Sequence, residues 1–65
     1  MFIYPRVRDL REDRDLTQKD IANMLNVLLT VYQRFDRGER ELPLWVAIKL
    51  SDFYKVTLDY LVGRD

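Results

Sequence analysis

Between Ile21 and Phe35 the chain carries no acidic residue, and Arg34, Arg37 and Arg40 recur there and beyond at three-residue steps. A guanidinium is a planar fork of N–H donors that matches phosphate oxygens and the O6/N7 edge of guanine, and eight of the eleven basic residues are Arg. This is the chemistry of binding, not of bond-making. The groups that usually break bonds are scarce. The chain has no His and no Cys, no Gly-rich phosphate loop, and carboxylates scattered over what read as solvated helix faces. So small a domain also leaves little room for a substrate pocket. The reading is that the protein is not an enzyme, that no metal or cofactor is implied, and that no small-molecule ligand is called for. Eleven acids balance eleven bases, which weighs mildly against a partner as negative as DNA. The uneven placement of those charges is what favours one.

Sixty-five residues make one domain, taken here as 1–65. A chain this short buries a modest fraction of its surface, and without Cys it has no disulfide to help, so well-packed helices must supply the stability. At 48% apolar residues it is too hydrophobic for disorder. The lack of Cys fits a reducing compartment, no signal peptide is visible, and no apolar run approaches the ~20 residues that span a bilayer. A cytoplasmic location and no membrane partner are the expectation.

The elements that must position the arginines are all helices. Pro5 suits a first helical turn, with Val7 and Leu10 facing inward through about Arg14, and Asp15-Leu16 is a short connection. Thr17 is a good N-cap for a second helix, and Asp20, three residues on, is placed to complete a capping box. Ile21, Ala22 and Leu25 form that helix's buried stripe. Asn26 tolerates the left-handed conformation that ends helices, which makes a sharp turn there. A third helix is expected from about Leu28 to Asp36, with Tyr32 and Phe35 inward and Gly38 closing it. After a loop from Arg37 to Leu42, Pro43 opens a fourth helix, whose Leu44, Ala47, Ile48, Ser51 and Tyr54 share a face at steps of three and four. Thr57 caps a short fifth helix that Gly63 closes. Only MFIY at the tip resembles a strand, and four residues cannot make a sheet.

With Gln18 as the first position of a twenty-residue helix-turn-helix, apolar residues fall at Ile21, Leu25, Val27, Tyr32 and Phe35. Ala22 sits where the two helices cross closely, and Asn26 where the turn usually has Gly. On these positions, and on the phrases RDLREDRDLTQKDIANML, RGERELP and VTLDYLVGR, the chain resembles the lambda repressor and Cro-type (XRE-type) helix-turn-helix family. The resemblance runs from about Pro5 to Arg64. It implies a compact, all-α, five-helix DNA-binding domain that lays its second helix across the duplex backbone and its third in the major groove. Its partner would be double-stranded DNA, bound in a sequence-specific way by a transcriptional regulator, often as a homodimer on paired half-sites. Thr17 and Gln18, at the N-terminus of the second helix with free N–H groups, would meet a phosphate, with Arg37 and Arg40 as further phosphate ligands. Leu28, Leu29, Thr30, Gln33 and Arg34 would line the groove-facing surface. The family's habit of pairing a basic residue of the first helix with an acid at the end of the third falls on Arg11 and Asp36. They are expected to form a partly buried ion pair that fixes the third helix against the first, with the shorter reach of Asp compared with the usual Glu leaving room for a longer or water-bridged contact.

Each assignment has a plainer counterpart. Thr17 serves as a cap whether or not it touches DNA. Gln33 and Arg34 would serve equally as solvated helix residues, and Arg37 and Arg40 alternate with acids in DRGERE, as a screened surface network would. Tyr32 and Phe35 are core by spacing, and Trp45 is a partly exposed packing residue or part of a dimer surface.

The family pattern is broken at 28 and 29, where Ser or Thr and a polar residue such as Gln are common and this chain has Leu twice. A missing side-chain cap costs about 1 kcal/mol, and the inward positions are already taken by Val27, Tyr32 and Phe35. The leucines therefore need a partner. One is the thymine C5-methyl group, which projects into the major groove. The other is a protein, with Leu28, Leu29, Val31 and Trp45 as an apolar association patch. DNA is the first choice because basic residues flank the leucines. Residues this unusual at reading positions also suggest an engineered recognition helix.

Overall fold

The computed structural model describes residues 4–63; the first three residues of the MFIY segment, and Arg64 at the end of the family resemblance, lie outside the described residues. Among the described residues there are five helices and no strand: α1 Pro5–Asp13, α2 Gln18–Leu25, α3 Leu29–Asp36, α4 Leu44–Tyr54 and α5 Leu58–Val62. Helix α1 stops one residue short of the expected end, with Arg14 as its C-cap, and α3 starts one residue late, with Leu28 as its N-cap. Pro43 likewise is the residue before α4, not its first.

The helix ends follow from local chemistry. Thr17 accepts the Asp20 N–H while the Asp20 carboxylate accepts the Thr17 N–H, a complete capping box at the head of α2. Thr57 accepts the Tyr60 N–H at the head of α5. Four successive connections leave their helices in the same way. Asp15, Asn26, Gly38 and Lys55 adopt positive φ of 55°, 59°, 74° and 60°. In each case the next N–H then reaches back five residues to a helix carbonyl: Leu16 to Arg11, Val27 to Ala22, Glu39 to Arg34 and Val56 to Ser51. This left-handed cap satisfies carbonyls that the helix end would otherwise leave open. Gly38 adopts it without a Cβ penalty, and Asp15 and Asn26 are among the residue types that tolerate it.

The core gathers Val7 and Leu10 from α1, Ile21, Ala22 and Leu25 from α2, Tyr32 and Phe35 from α3, Leu42 from the loop, and Leu61 from α5. Helix α4 contributes Val46, Ala47, Leu50, Ser51 and Tyr54. This corrects the face expected for α4. Ala47, Ser51 and Tyr54 are inside, but Leu44 and Ile48 are 67% and 45% exposed, and Val46 and Leu50 take the interior places. The segment LWVAIKL is apolar almost all round, so periodicity alone could not choose between two overlapping stripes. Two arginines tie α1 to the C-terminal helices. Arg6 donates to the Tyr60 carbonyl at 2.8 Å and lies 4.1 Å over its ring. Arg14 donates to the Tyr54 carbonyl at 3.1 Å and stacks 5.0 Å from that ring. No helix among the described residues is long and apolar enough to cross a membrane.

Candidate functional site

Helices α2 and α3 pack closely around the turn at Asn26, with Ala22 on the inner side of the crossing and almost fully buried. A side chain larger than Ala at 22 would hold the two helices apart. The turn therefore fixes how the outer surface of α3 stands relative to the N-terminus of α2.

Between α1, α2 and α3 lies a polar cluster built on Asp36. Arg11 grips its carboxylate as a fork, Nε to Oδ1 at 3.0 Å and Nη2 to Oδ2 at 3.1 Å. The expected ion pair between α1 and α3 is present, and it is a direct contact, neither long nor water-bridged: the long Arg11 side chain covers the reach that Asp lacks. Arg11 also donates through Nη1 to the Leu16 carbonyl at 2.9 Å, which ties down the α1–α2 connection. Tyr32, one turn before Asp36 on α3, donates its hydroxyl to Oδ1 at 2.9 Å. Gln18 donates Nε2 to Oδ2 at 3.0 Å. Every site of the carboxylate is used, although Arg11 and Asp36 are both buried. Burial pushes the Asp36 carboxyl up, but the hydrogen bonds from Arg11, Gln18 and Tyr32 outweigh it and hold the group below the ordinary carboxylate value. The bond to Asp36 raises the Arg11 guanidinium in turn. Burial and the neighbouring Asp36 charge raise the Tyr32 phenol, so it stays a neutral donor. Burial likewise pushes the nearby Tyr54 phenol up to about 12.

The residues read as phosphate ligands fall in two places. Thr17 and Gln18 open α2, but the Thr17 N–H is not free, since the Asp20 carboxylate takes it at 2.9 Å. The Thr17 hydroxyl oxygen accepts the Asp20 N–H, which leaves its O–H to donate outward. The Gln18 side chain has partners at both ends of its amide: Asp36 on Nε2 and, at 3.2 Å on Oε1, Nε2 of Gln33. Arg37 and Arg40 are exposed in the α3–α4 loop. Arg37 pairs with Glu39, Nε to Oε2 at 3.0 Å, with both side chains about half exposed, so part of its charge is already answered.

Of the residues read as groove-facing, Leu28, Leu29 and Thr30 lie at the head of α3 and Gln33 and Arg34 about one turn further along it. Leu28 is 73% exposed and Leu29 39%, Thr30 and Arg34 are exposed, and Gln33 is half-buried where it leans on Gln18. No side chain caps α3. Val31 is half-buried and packs against the core, whereas the two leucines are exposed. Elsewhere among the described residues, Leu44, Trp45, Ile48 and Phe53 of α4 and Tyr60 of α5 are exposed.

Sequence reasoning missed two things here. Tyr32 was read as core alone, yet its hydroxyl is a ligand of Asp36; the spacing of four on one helix was the available signal. The Gln18–Asp36 and Gln18–Gln33 bonds join residues 18 and 15 apart in sequence and left no local trace.

The helix-turn-helix family model matches residues 7–61, all five helices except the ends of α1 and α5. The chain belongs to the helix-turn-helix family. It is 37% identical over 58 residues to the cryptic phage CTXphi transcriptional repressor RstR of Vibrio cholerae, a stretch that covers 89% of this chain and 52% of the repressor. It is 32% identical over 65 residues to the HTH-type transcriptional regulator ImmR of Bacillus subtilis strain 168, covering 100% of this chain and 51% of that protein. An uncharacterized HTH-type transcriptional regulator from the same organism, YqaE, is 30% identical over 56 residues, covering 86% and 48%. This helix-turn-helix chain thus spans about half the length of the curated relatives it matches. No solved structure gives a significant match.

Proposed function

We propose that the protein binds double-stranded DNA in a sequence-specific manner and that it acts in transcriptional regulation, with α3 in the major groove and the N-terminus of α2 against the backbone. One observation carries the reading: within a family of named repressors and regulators, α3 projects Leu28, Leu29, Thr30 and Arg34 outward with no side-chain cap and no acid among them. Thr17, Arg37 and Arg40 hold phosphates on either side. Their contribution is sequence-independent and falls as salt rises. Arg34 is suited to a guanine, and the leucines to thymine methyl groups.

Two copies would occupy paired half-sites whose centres lie one helical turn apart. The exposed Leu44, Trp45 and Ile48 of α4 give the second copy an apolar surface. The protein works in the cell interior, where its DNA partner is.

Selection from a random duplex library at several salt concentrations tests the reading. An enriched motif with affinity that drops steeply as salt rises is the expected result. No enriched motif, with the leucine variants losing self-association instead, would favour the apolar end of α3 as a protein interface.

A further inference from the structure

We propose that two copies of the chain pair through the outer face of α4, antiparallel about a two-fold axis that sets Lys49 of each copy against Asp52 of the other; the proposal rests on the reading that two copies act together. Helix α4 runs Leu44–Tyr54 and buries Val46, Ala47, Leu50, Ser51 and Tyr54. At 3.6 residues per turn, its other positions fall on the opposite half of the helix. Four of them are large apolar residues, Leu44, Trp45, Ile48 and Phe53, all exposed. The remaining two are Lys49 and Asp52, exposed as well. A surface helix ordinarily turns a polar face to water, and one that is apolar all round is ordinarily covered on every side. Here the core covers one side only. Lys49 and Asp52 take part in none of the ion pairs among the described residues.

The two charges name the occupant and its direction. In a two-fold interface every contact occurs twice, with the roles of the two residues exchanged between the copies. In an antiparallel pair with the axis level with Leu50 and Ser51, Lys49 meets the partner's Asp52, and Asp52 meets the partner's Lys49. The same register lays Ile48 against the partner's Phe53, again twice, with Trp45 at each end of the seam. A parallel pair would instead set Lys49 on Lys49 and Asp52 on Asp52, which repel. The face is therefore complementary to itself in one direction only. Eleven acids against eleven bases leave no net charge to hold two copies apart at long range. Length limits the strength. Helix α4 is about 16 Å long, and one pair of such helices buries less than the ~1,200 Å² at which stable interfaces begin. The dimer is therefore weak in free solution. It gains on a duplex with two half-sites, where the second copy is held at high effective concentration.

Sedimentation equilibrium without DNA, from micromolar to millimolar protein, reads the pairing directly. The wild-type chain should pass from monomer to dimer within that range. The fluorescence of Trp45, the single Trp of the chain, should move to shorter wavelength as it does so. Lys49→Asp and Asp52→Lys each put like charges opposite one another at both contacts. Either should weaken the dimer on the order of tenfold, and more at low salt than at high. Combined in one chain, the two changes reverse both pairs and should restore the wild-type dimerisation constant. That recovery also guards against a folding defect in the single variants. Ile48→Ser should weaken the dimer at every salt concentration alike. A dimer indifferent to the single charge reversals, or one that the combined variant fails to restore, would overturn the proposed register and leave the two-copy reading standing. A wild-type chain that stays monomeric at millimolar concentration would overturn the proposal and take the α4 surface out of the two-copy reading as well.

Discussion

Arg11 and Asp36 join α1 to α3 through a forked pair with N···O distances of 3.0 and 3.1 Å, and the Asp36 side chain is only 1% exposed. Two parallel charge-assisted bonds make this the strongest polar link between the two helices. Because α3 carries the candidate reading surface, the pair fixes that surface relative to the rest of the domain.

Truncating one partner should be costly. Arg11→Ala leaves a buried carboxylate with only Tyr32 and Gln18, and removal of one member of a buried pair costs about 3–5 kcal/mol. Arg8→Ala is the matched control. It breaks the Arg8–Glu12 pair at 3.6 Å, in which both side chains are more than half exposed, and exposed pairs are worth under ~1 kcal/mol. Urea denaturation of both variants measures the difference. Similar midpoints would mean that the Arg11–Asp36 pair does not hold the fold.

The same pair makes the fold sensitive to acid. The folded-state value of Asp36 is depressed below its ordinary one, so the folded state binds a proton there less readily than the unfolded chain. Its stabilisation is complete above the ordinary carboxylate range and is lost as pH falls through that range toward the folded value. Melting temperature should be level near neutrality and fall below about pH 4–5. Asp36→Asn, less stable at neutral pH, should show a shallower fall over that interval. Parallel curves for the two proteins would assign the acid sensitivity to other carboxylates.

Phosphate ligands and base readers should separate in their response to salt. Arg37→Ala and Arg40→Ala should weaken target and non-target DNA alike and reduce the salt slope by roughly one unit each. Arg34→Ala should instead flatten the preference at one base pair, worth ~1–3 kcal/mol. Arg37 adds a second check, since Glu39 competes for it at 3.0 Å. Glu39→Gln should tighten binding at low salt and steepen the salt slope. If all of these variants behave alike, α3 is not in the groove.

Leu28 and Leu29 have a test that leaves the protein untouched. Replacing thymine by uracil removes one methyl group and keeps the base pairing. Burial of one such carbon is worth about 0.8 kcal/mol, so affinity should fall about fourfold at each contacted position, with little change in salt dependence. Leu29→Ala should abolish the thymine–uracil difference at its own position. Binding that is indifferent to uracil at every thymine of the selected site would point to the leucines as a protein-association surface.

The sequence by itself determined what depends on neighbours in the chain. The Thr17/Asp20 capping box, the left-handed turn at Asn26, the Thr57 cap and the closing glycines fix helix ends through contacts within a few residues, so the five helices were legible to within a residue or so. The pairing of Arg11 with Asp36 was legible only through the family resemblance. Tertiary structure alone decided the inward face of α4, since a segment apolar on nearly every side lets the rest of the core choose which stripe to bury. It alone set Val31 half-buried against the core. It also set the partners of the Gln18 side chain: an amide with two donors and an acceptor fits a phosphate or a carboxylate equally well. Only the packing of α1, α2 and α3 sets Asp36 and Gln33 at its two ends.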